Sequence, residues 1–326
     1  MKVTILGAGG WGTALARHLS LSNHAVTLWG HDPGHLEDLR ITGCNTRYLP
    51  GIALPRNWTF ESSLVKAIQS CACIVVAVPS KAFREVTQPL AAFQGILVSV
   101  TKGIECDTGL TMSGLLRAQA PKARIAALSG PTLAPEVARD MPSAIVAASE
   151  DAATAQAVQQ LFHRPAFRVY TSADLLGVEL GGALKNVIAI AAGVGDGLGF
   201  GDNTKAALIT RGIVEIRRLG VACGAQADTF GGLSGIGDLT VTCFSKLSRN
   251  RGLGERLGQG EKLDDILAST ITVAEGLPTA RSAYRLAQTL RVTTPIIAEV
   301  HAMLYEGKNV VQALRDLTGR DSKPES

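Results

Sequence analysis

The chain has no patterned cysteines, no block of like charge, no internal repeat and no low-complexity tract. Its six cysteines are scattered. Cys71 and Cys73 stand one residue apart in an apolar, strand-like run, which is neither zinc-ligand nor redox spacing. Buried thiols in a reducing compartment are expected, not disulfides, and no metal site. The net charge is only +4, without the Lys/Arg block of a nucleic-acid or membrane-surface binder. So mild an excess suits an anionic small molecule, and no nucleic-acid partner is expected. No stretch reads as a bilayer span: the nearest, Ala183 to Ala192, is well short of roughly 20 residues and contains Lys185. The opening "MKVTILGAGGWG" lacks a signal-peptide layout, because its apolar run is short and stops at glycines. A cytoplasmic location is the expectation.

What is present points to an ordinary globular protein, with 46% apolar residues. At 326 residues two domains are expected. In the first half "KVTILGA", "HAVTLWGHD", "ACIVVAVPS", "ILVSVTKG", "RIAALSGP", "SAIVAAS" and "FRVYTS" read as strands. They are apolar without alternation, as in a parallel sheet covered on both faces. Helical spacing lies between them, in "TALARHLSLSN" and "KAFREVTQPLAAF". The alternation predicts a doubly wound parallel α/β sheet of Rossmann type over 1–174. After Asp174 the β-like runs almost vanish. Helical patterns follow at Leu175 to Val194, Lys205 to Cys223, Leu263 to Thr270, Thr279 to Leu290 and Ile296 to Tyr305, predicting a mostly helical domain over 175–326. The polar tail "DSKPES" is expected to fray.

"ILGAGGWGTALA" places Gly7, Gly9 and Gly12 as G-x-G-x-x-G between a strand and a helix, the context that makes this weak motif a dinucleotide loop. Gly7 permits the tight turn, Gly9 lets the backbone approach a pyrophosphate, and Gly12 lets the helix pack on the strand. Twenty positions on, "WGHDP" offers both His31 and Asp32 at the ribose end. An acidic residue there favours NAD and a basic one NADP, and Asp32 before Pro33 equally reads as a helix cap, so the choice stays open.

Other polar groups fall at expected strand ends, where open α/β sheets bind ligands. Lys102 closes "VSVTKG", and Gly130, Pro131 and Thr132 close "ALSGPT". In the second half "LSGIGDLTVTC" carries Asp238, and "KLSRNRGLG" carries Ser248, Arg249, Asn250 and Arg251 in what reads as a tightly folded loop. A guanidinium flanked by neutral donors suits a phosphate, although a solvated charged loop has the same composition. In "LGGALKNVIAIAAG" a lone lysine, Lys185, sits beside Asn186 in a segment that reads as interior. Either it pairs structurally, for instance with Glu179, or it faces a cleft and does chemistry. Gly181 and Gly182 before it suggest close approach to the backbone, as in a helix lining a cofactor cleft.

Seven ordered segments, "GAGGWGTALA", "VTKGIE", "SGPTLAPEVA", "GVELGGALKNVIAIAAGVGDGLGFGDNTKAALITRG", "GIGDLTVTC", "SRNRGLG" and "VAEG", span nearly the whole chain. In them the sequence resembles the bacterial NAD(P)-dependent glycerol-3-phosphate dehydrogenases. The resemblance implies a Rossmann-type domain followed by a helical one. It also implies hydride transfer between NAD or NADP and the pair dihydroxyacetone phosphate and sn-glycerol 3-phosphate, feeding glycerophospholipid synthesis. It makes Lys185 the proton donor and acceptor, with Lys102 and Asp238 beside it. Lys102, Gly130, Thr132, Lys185, Asp238, Ser248, Arg249 and Asn250 become substrate contacts. Gly10, Trp11, His31, Lys102, Ala134, Arg249, Val273 and Glu275 join Gly7, Gly9 and Gly12 as cofactor contacts. A homodimer is a further expectation. The chain departs from many relatives at Gly10, at His31, where arginine is frequent, and in "SRNRGLG", where "SRNRRFG" is frequent. The residues alone leave three rivals: a reductase of similar build acting on a hydroxy acid or sugar acid, a non-catalytic dinucleotide sensor, and a SAM-dependent methyltransferase.

Overall fold

The computed structural model describes residues 1–270 and 273–319; the tail expected to fray lies outside the described residues. Among the described residues ten strands occur in chain order: β1 (Lys2–Leu6), β2 (Ala25–Trp29), β3 (Cys44–Asn45), β4 (Leu49–Ala53), β5 (Thr59–Glu61), β6 (Cys73–Val76), β7 (Ile96–Ser99), β8 (Arg124–Ser129), β9 (Ser143–Ala148) and β10 (Phe167–Ser172). Eight form one sheet in the order β10-β9-β8-β7-β6-β1-β2-β5, and β3 and β4 form a separate hairpin. All seven expected strands are present. β5 is three residues long, too short to leave a hydrophobic run, and β4 is interrupted by Pro50 and Gly51.

The sheet departs from the all-parallel expectation at one seam, where β8 pairs antiparallel with β9. After β8 the chain does not cross a face of the sheet. It forms the helix Ala134–Ala138, which packs beside Ala14 and Leu49, and β9 then re-enters from the same end. A parallel partner would have needed a full crossover.

The strands are buried on both sides. Val3, Ile5, Val75 and Val98 face Leu15, Leu19 and Phe162, whereas Leu6, Ile74, Val76 and Leu97 face Phe83, Leu115 and Leu116. This alternation between two dry faces is why the runs show no polar period. Strand order reverses between β1 and β6, so the glycine loop after β1 opens at the topological switch point.

The helical domain is built around the helix Leu175–Gly197, against which Asp202–Ala222, Asp238–Phe244, Arg249–Gly258, Gly276–Thr289 and Pro295–Tyr305 pack. This helix corrects one expectation. At 23 residues, with a most apolar window of mean hydropathy 1.5, it is long and apolar enough to cross a membrane, yet 89% of that window is buried inside the protein. Its apolarity serves a protein interior approached from all sides.

A second correction concerns "SRNRGLG", which is not a loop but the start of the helix Arg249–Gly258. Its glycines allow backbone contact with the central helix. A Cβ on Gly254 would lie 1.9 Å from the Ile190 carbonyl oxygen, and one on Gly193 1.9 Å from that of Arg251. Gly254→Ala is therefore expected to force the two helices apart. The loss should be about 1–3 kcal/mol or more of stability, read as a lowered thermal midpoint of the ligand-free protein.

Candidate active site

Three glycines after β1 have separate physical reasons. Gly7 has φ +123°, and a Cβ there would sit 2.6 Å from the Ala77 carbonyl at the end of β6. A Cβ on Gly12 would meet the Gly7 carbonyl at 1.9 Å, so the helix Gly10–Leu21 packs directly on the turn. Gly9 is different: a Cβ there meets nothing within 4 Å. The first intrahelical bond runs from Thr13 N to Gly9 O, so the N–H groups of Gly10, Trp11 and Gly12 precede it. No acidic residue stands in the first turn. Open space at Gly9, before the N-terminus of a helix with no acidic residue in its first turn, fits a pyrophosphate. Trp11 is half-buried against the core, and Ala134 lies beside it.

At the ribose end His31 is exposed, while Asp32 caps the helix Pro33–Thr42 by accepting from His35 N at 3.1 Å. That hydrogen bond is the main reason its carboxyl pKa is lowered. The cap reading of Asp32 is correct.

The interior lysine is answered by Asp238. Lys185 Nζ donates to Asp238 Oδ1 and to Thr242 Oγ1, both at 2.6 Å. Lys102, from the segment after β7, donates to Asp238 Oδ2 at 2.6 Å and to the Gly130 carbonyl at 3.0 Å. One carboxylate, 1% exposed, thus holds two ammonium groups that approach from the sheet and from the central helix. Burial pushes Lys185 down from 10.5 to about 8; Asp238 opposes that and Lys102 reinforces it. The alternative partner Glu179 is engaged elsewhere, accepting from Ser113 N at 2.9 Å and from the Ser113 hydroxyl. Thr242 was not singled out in the sequence. Its position four residues after Asp238 on one helix face was the available signal.

The paired glycines before Lys185 are also explained, but not by a cofactor. A Cβ on Gly181 would strike the Ser234 carbonyl at 2.6 Å, and one on Gly182 would lie 2.4 Å from Ser129 Oγ. They admit neighbouring protein segments. Gly130, at φ +153°, turns the chain after β8, and Thr132 donates to its carbonyl at 3.1 Å.

The Ser-Arg-Asn triplet divides. Ser248 caps its helix by accepting from Arg251 N at 3.2 Å. Asn250 is buried; its Nδ2 donates to Asn186 Oδ1 and its Oδ1 accepts from Gly276 N, each at 2.8 Å. Arg251 is buried against Asp196 at 2.6 Å. Arg249 alone is exposed, yet in a recess: crowding by protein holds its pKa below the ordinary arginine value, with Glu275 opposing. Glu275 accepts from Ser80 N at 3.0 Å and Ser80 Oγ at 2.5 Å, and burial raises its pKa. Val273 is exposed nearby in sequence.

A dinucleotide loop at the switch point, with a lysine–aspartate cluster where the sheet's carboxyl ends meet a helical domain, defines the class of two-domain dinucleotide-dependent oxidoreductases. The family models described as NAD-dependent glycerol-3-phosphate dehydrogenase N-terminus and C-terminus match residues 2–155 and 174–315. The chain is 49% identical, over 99% of its length and 98% of the relative's, to a protein of Geobacter sulfurreducens named glycerol-3-phosphate dehydrogenase [NAD(P)+]. It is 47% identical, with the same coverage, to one of that name from Citrifermentans bemidjiense. The crystal structure of glycerol-3-phosphate dehydrogenase from Coxiella burnetii superposes with a TM-score of 0.94 at 36% identity, covering 98% of this chain and 99% of that one. The chain belongs to the NAD-dependent glycerol-3-phosphate dehydrogenase family.

Asp238→Asn keeps the shape of the side chain but strands two ammonium groups, one of them buried. The expected cost is about 3–5 kcal/mol, the size for breaking a buried pair on one side. Lys185→Met should cost less, because Lys102 still satisfies the carboxylate. Thermal unfolding of the two variants side by side checks the order.

Proposed function

We propose that this chain catalyses the reversible reduction of dihydroxyacetone phosphate to sn-glycerol 3-phosphate with NADH or NADPH. The observation that carries the reading is the Lys185–Asp238–Lys102 cluster at the strand ends, in a chain of this family. When bound, the dinucleotide supplies a hydride to the substrate's carbonyl carbon, and negative charge grows on the oxygen. The Lys185 ammonium stabilises that charge and then gives its proton to the oxygen. Asp238 keeps Lys185 charged and aimed, and Thr242 fixes the same Nζ from a second side. A pKa near 8 suits a group that must hold a proton for reduction and lack it for oxidation. Lys102 and the groups at Gly130 and Thr132 contact the substrate. Arg249 grips its phosphate, because it is the member of its triplet not consumed by packing. Ser248 and Asn250 act by holding the helix that presents it. Gly7, Gly9, Gly10, Trp11 and Gly12 receive the pyrophosphate side of the cofactor, His31 its ribose end, and Ala134, Val273, Glu275, Lys102 and Arg249 the rest.

The same reading makes residues 1–174 the dinucleotide domain and 175–326 the substrate domain. It places the protein in the cytoplasm, with a small phosphorylated substrate, no nucleic acid and no membrane span, as a homodimer supplying glycerophospholipid synthesis.

Lys185→Met is expected to fold and bind cofactor but to lose at least about 10²–10⁴-fold in kcat; folded protein that keeps a tenth of the rate removes Lys185 from this role. In the wild type, kcat/KM for reduction should fall as pH rises through about 8, and that for oxidation should rise over the same interval. A pH series in both directions reads the pair as a macroscopic value.

Arg249→Gln should raise KM for dihydroxyacetone phosphate roughly 10- to 100-fold, and Arg249→Lys less, since lysine keeps the charge but not the two-pronged donor. Unphosphorylated dihydroxyacetone, a poor substrate, should hardly notice either change. Equal losses on both substrates would move the phosphate anchor to Lys102 or to the N–H groups after Gly130.

A further inference from the structure

The hairpin of β3 and β4 lies outside every motif singled out in the sequence, yet it is tied to the glycine loop. Asn45 is fully buried. Its Nδ2 donates to the Ala8 carbonyl at 3.1 Å and to Thr13 Oγ1 at 2.8 Å, and its Oδ1 accepts from Tyr48 N at 3.1 Å. His35 reaches the same Ala8 carbonyl at 3.2 Å and meets the Tyr48 ring edge-on, with centroids 5.3 Å apart. The four-residue turn from Asn45 to Tyr48 is thus held against the segment after β1, the helix Gly10–Leu21 and the start of the helix Pro33–Thr42.

Arg47 stands in that turn. Its guanidinium stacks over Tyr48 at 5.1 Å from the ring centroid, and one nitrogen is 4.0 Å from Asp32 Oδ2. Half of its side chain is exposed, and among the described residues no hydrogen bond engages its N–H donors. The turn is rigidly mounted, whereas the side chain it carries is held only by a loose ion pair and an aromatic face. That is a guanidinium with its fork free, beside the acidic residue at the ribose end.

We propose that Arg47 is the specificity-determining residue of the cofactor site, binding the 2′-phosphate of NADP(H), with exposed His31 as a second, weaker contact. The proposal rests on the dinucleotide reading above and deepens it. With NADP(H) the guanidinium leaves Asp32 for the phosphate, a better bidentate partner. With NAD(H) it stays on Asp32, which remains available to the ribose hydroxyls. One movable cation therefore serves both cofactors.

The test is equilibrium binding, by calorimetry, of adenosine 2′,5′-bisphosphate and adenosine 5′-phosphate, together with NADPH and NADH. Arg47→Gln should weaken the two 2′-phosphorylated ligands about 10- to 100-fold and change the other two by less than about threefold. Arg47→Lys should fall between, and neither variant should shift the melting temperature. Equal weakening of all four ligands, or no change in any, overturns the assignment. Wild type that binds NADH but neither 2′-phosphorylated ligand overturns it while leaving the dinucleotide reading intact. Wild type that binds none of the four overturns both.

Discussion

The carboxylate of Asp238, buried between the ammonium groups of Lys102 and Lys185, is the constraint on which the site depends. Two buried charges and a third that is largely covered are tolerated only because each finds its partner at hydrogen-bond distance. Lys102 belongs to the sheet half and Lys185 to the central helix of the other half, so the pairing also fixes where the helical domain meets the strand ends. Anything bound there is met by an ammonium group already aimed and already lowered in pKa.

Two further carboxylates repeat the device along the same junction. Glu179 of the central helix accepts from the first turn of the helix Met112–Gln119, and Glu275 accepts from the first residue of the helix Ser80–Thr87. Each places carboxyl oxygens on a helix N-terminus that would otherwise leave N–H groups unsatisfied. The two halves are therefore joined by acidic side chains reaching from the helical domain to donors in the sheet half. Glu179 resembles a candidate partner for Lys185 in the sequence, but it serves this junction.

Several glycines mark close approach, but what approaches differs from site to site. At Gly7 and Gly12 it is the protein's own backbone, at Gly193 and Gly254 a crossing helix, and at Gly181 and Gly182 the segments beneath the lysine. At Gly9 nothing of the protein approaches within 4 Å. The sequence marks all of these positions alike, since a missing side chain records that room is needed and not what fills it.

The strand runs, the glycine loop and the change of texture after Asp174 were determined by the sequence itself. Strands buried on two faces must be continuously apolar, and a turn with φ near +123° admits glycine and little else. Chemistry-bearing residues were legible by type: Lys185, Lys102 and Asp238 are charges in apolar or glycine-rich company. Their pairing was implied only by the family resemblance and not by local pattern, because they are 136 and 53 residues apart in the chain and only packing brings them to one point. The antiparallel seam at β9, the helix beginning at Arg249 and the mounting of Arg47 beside Asp32 were decided by tertiary structure for the same reason. Local pattern sets which faces and charges need partners, whereas the identity of each partner depends on contacts between segments distant in sequence.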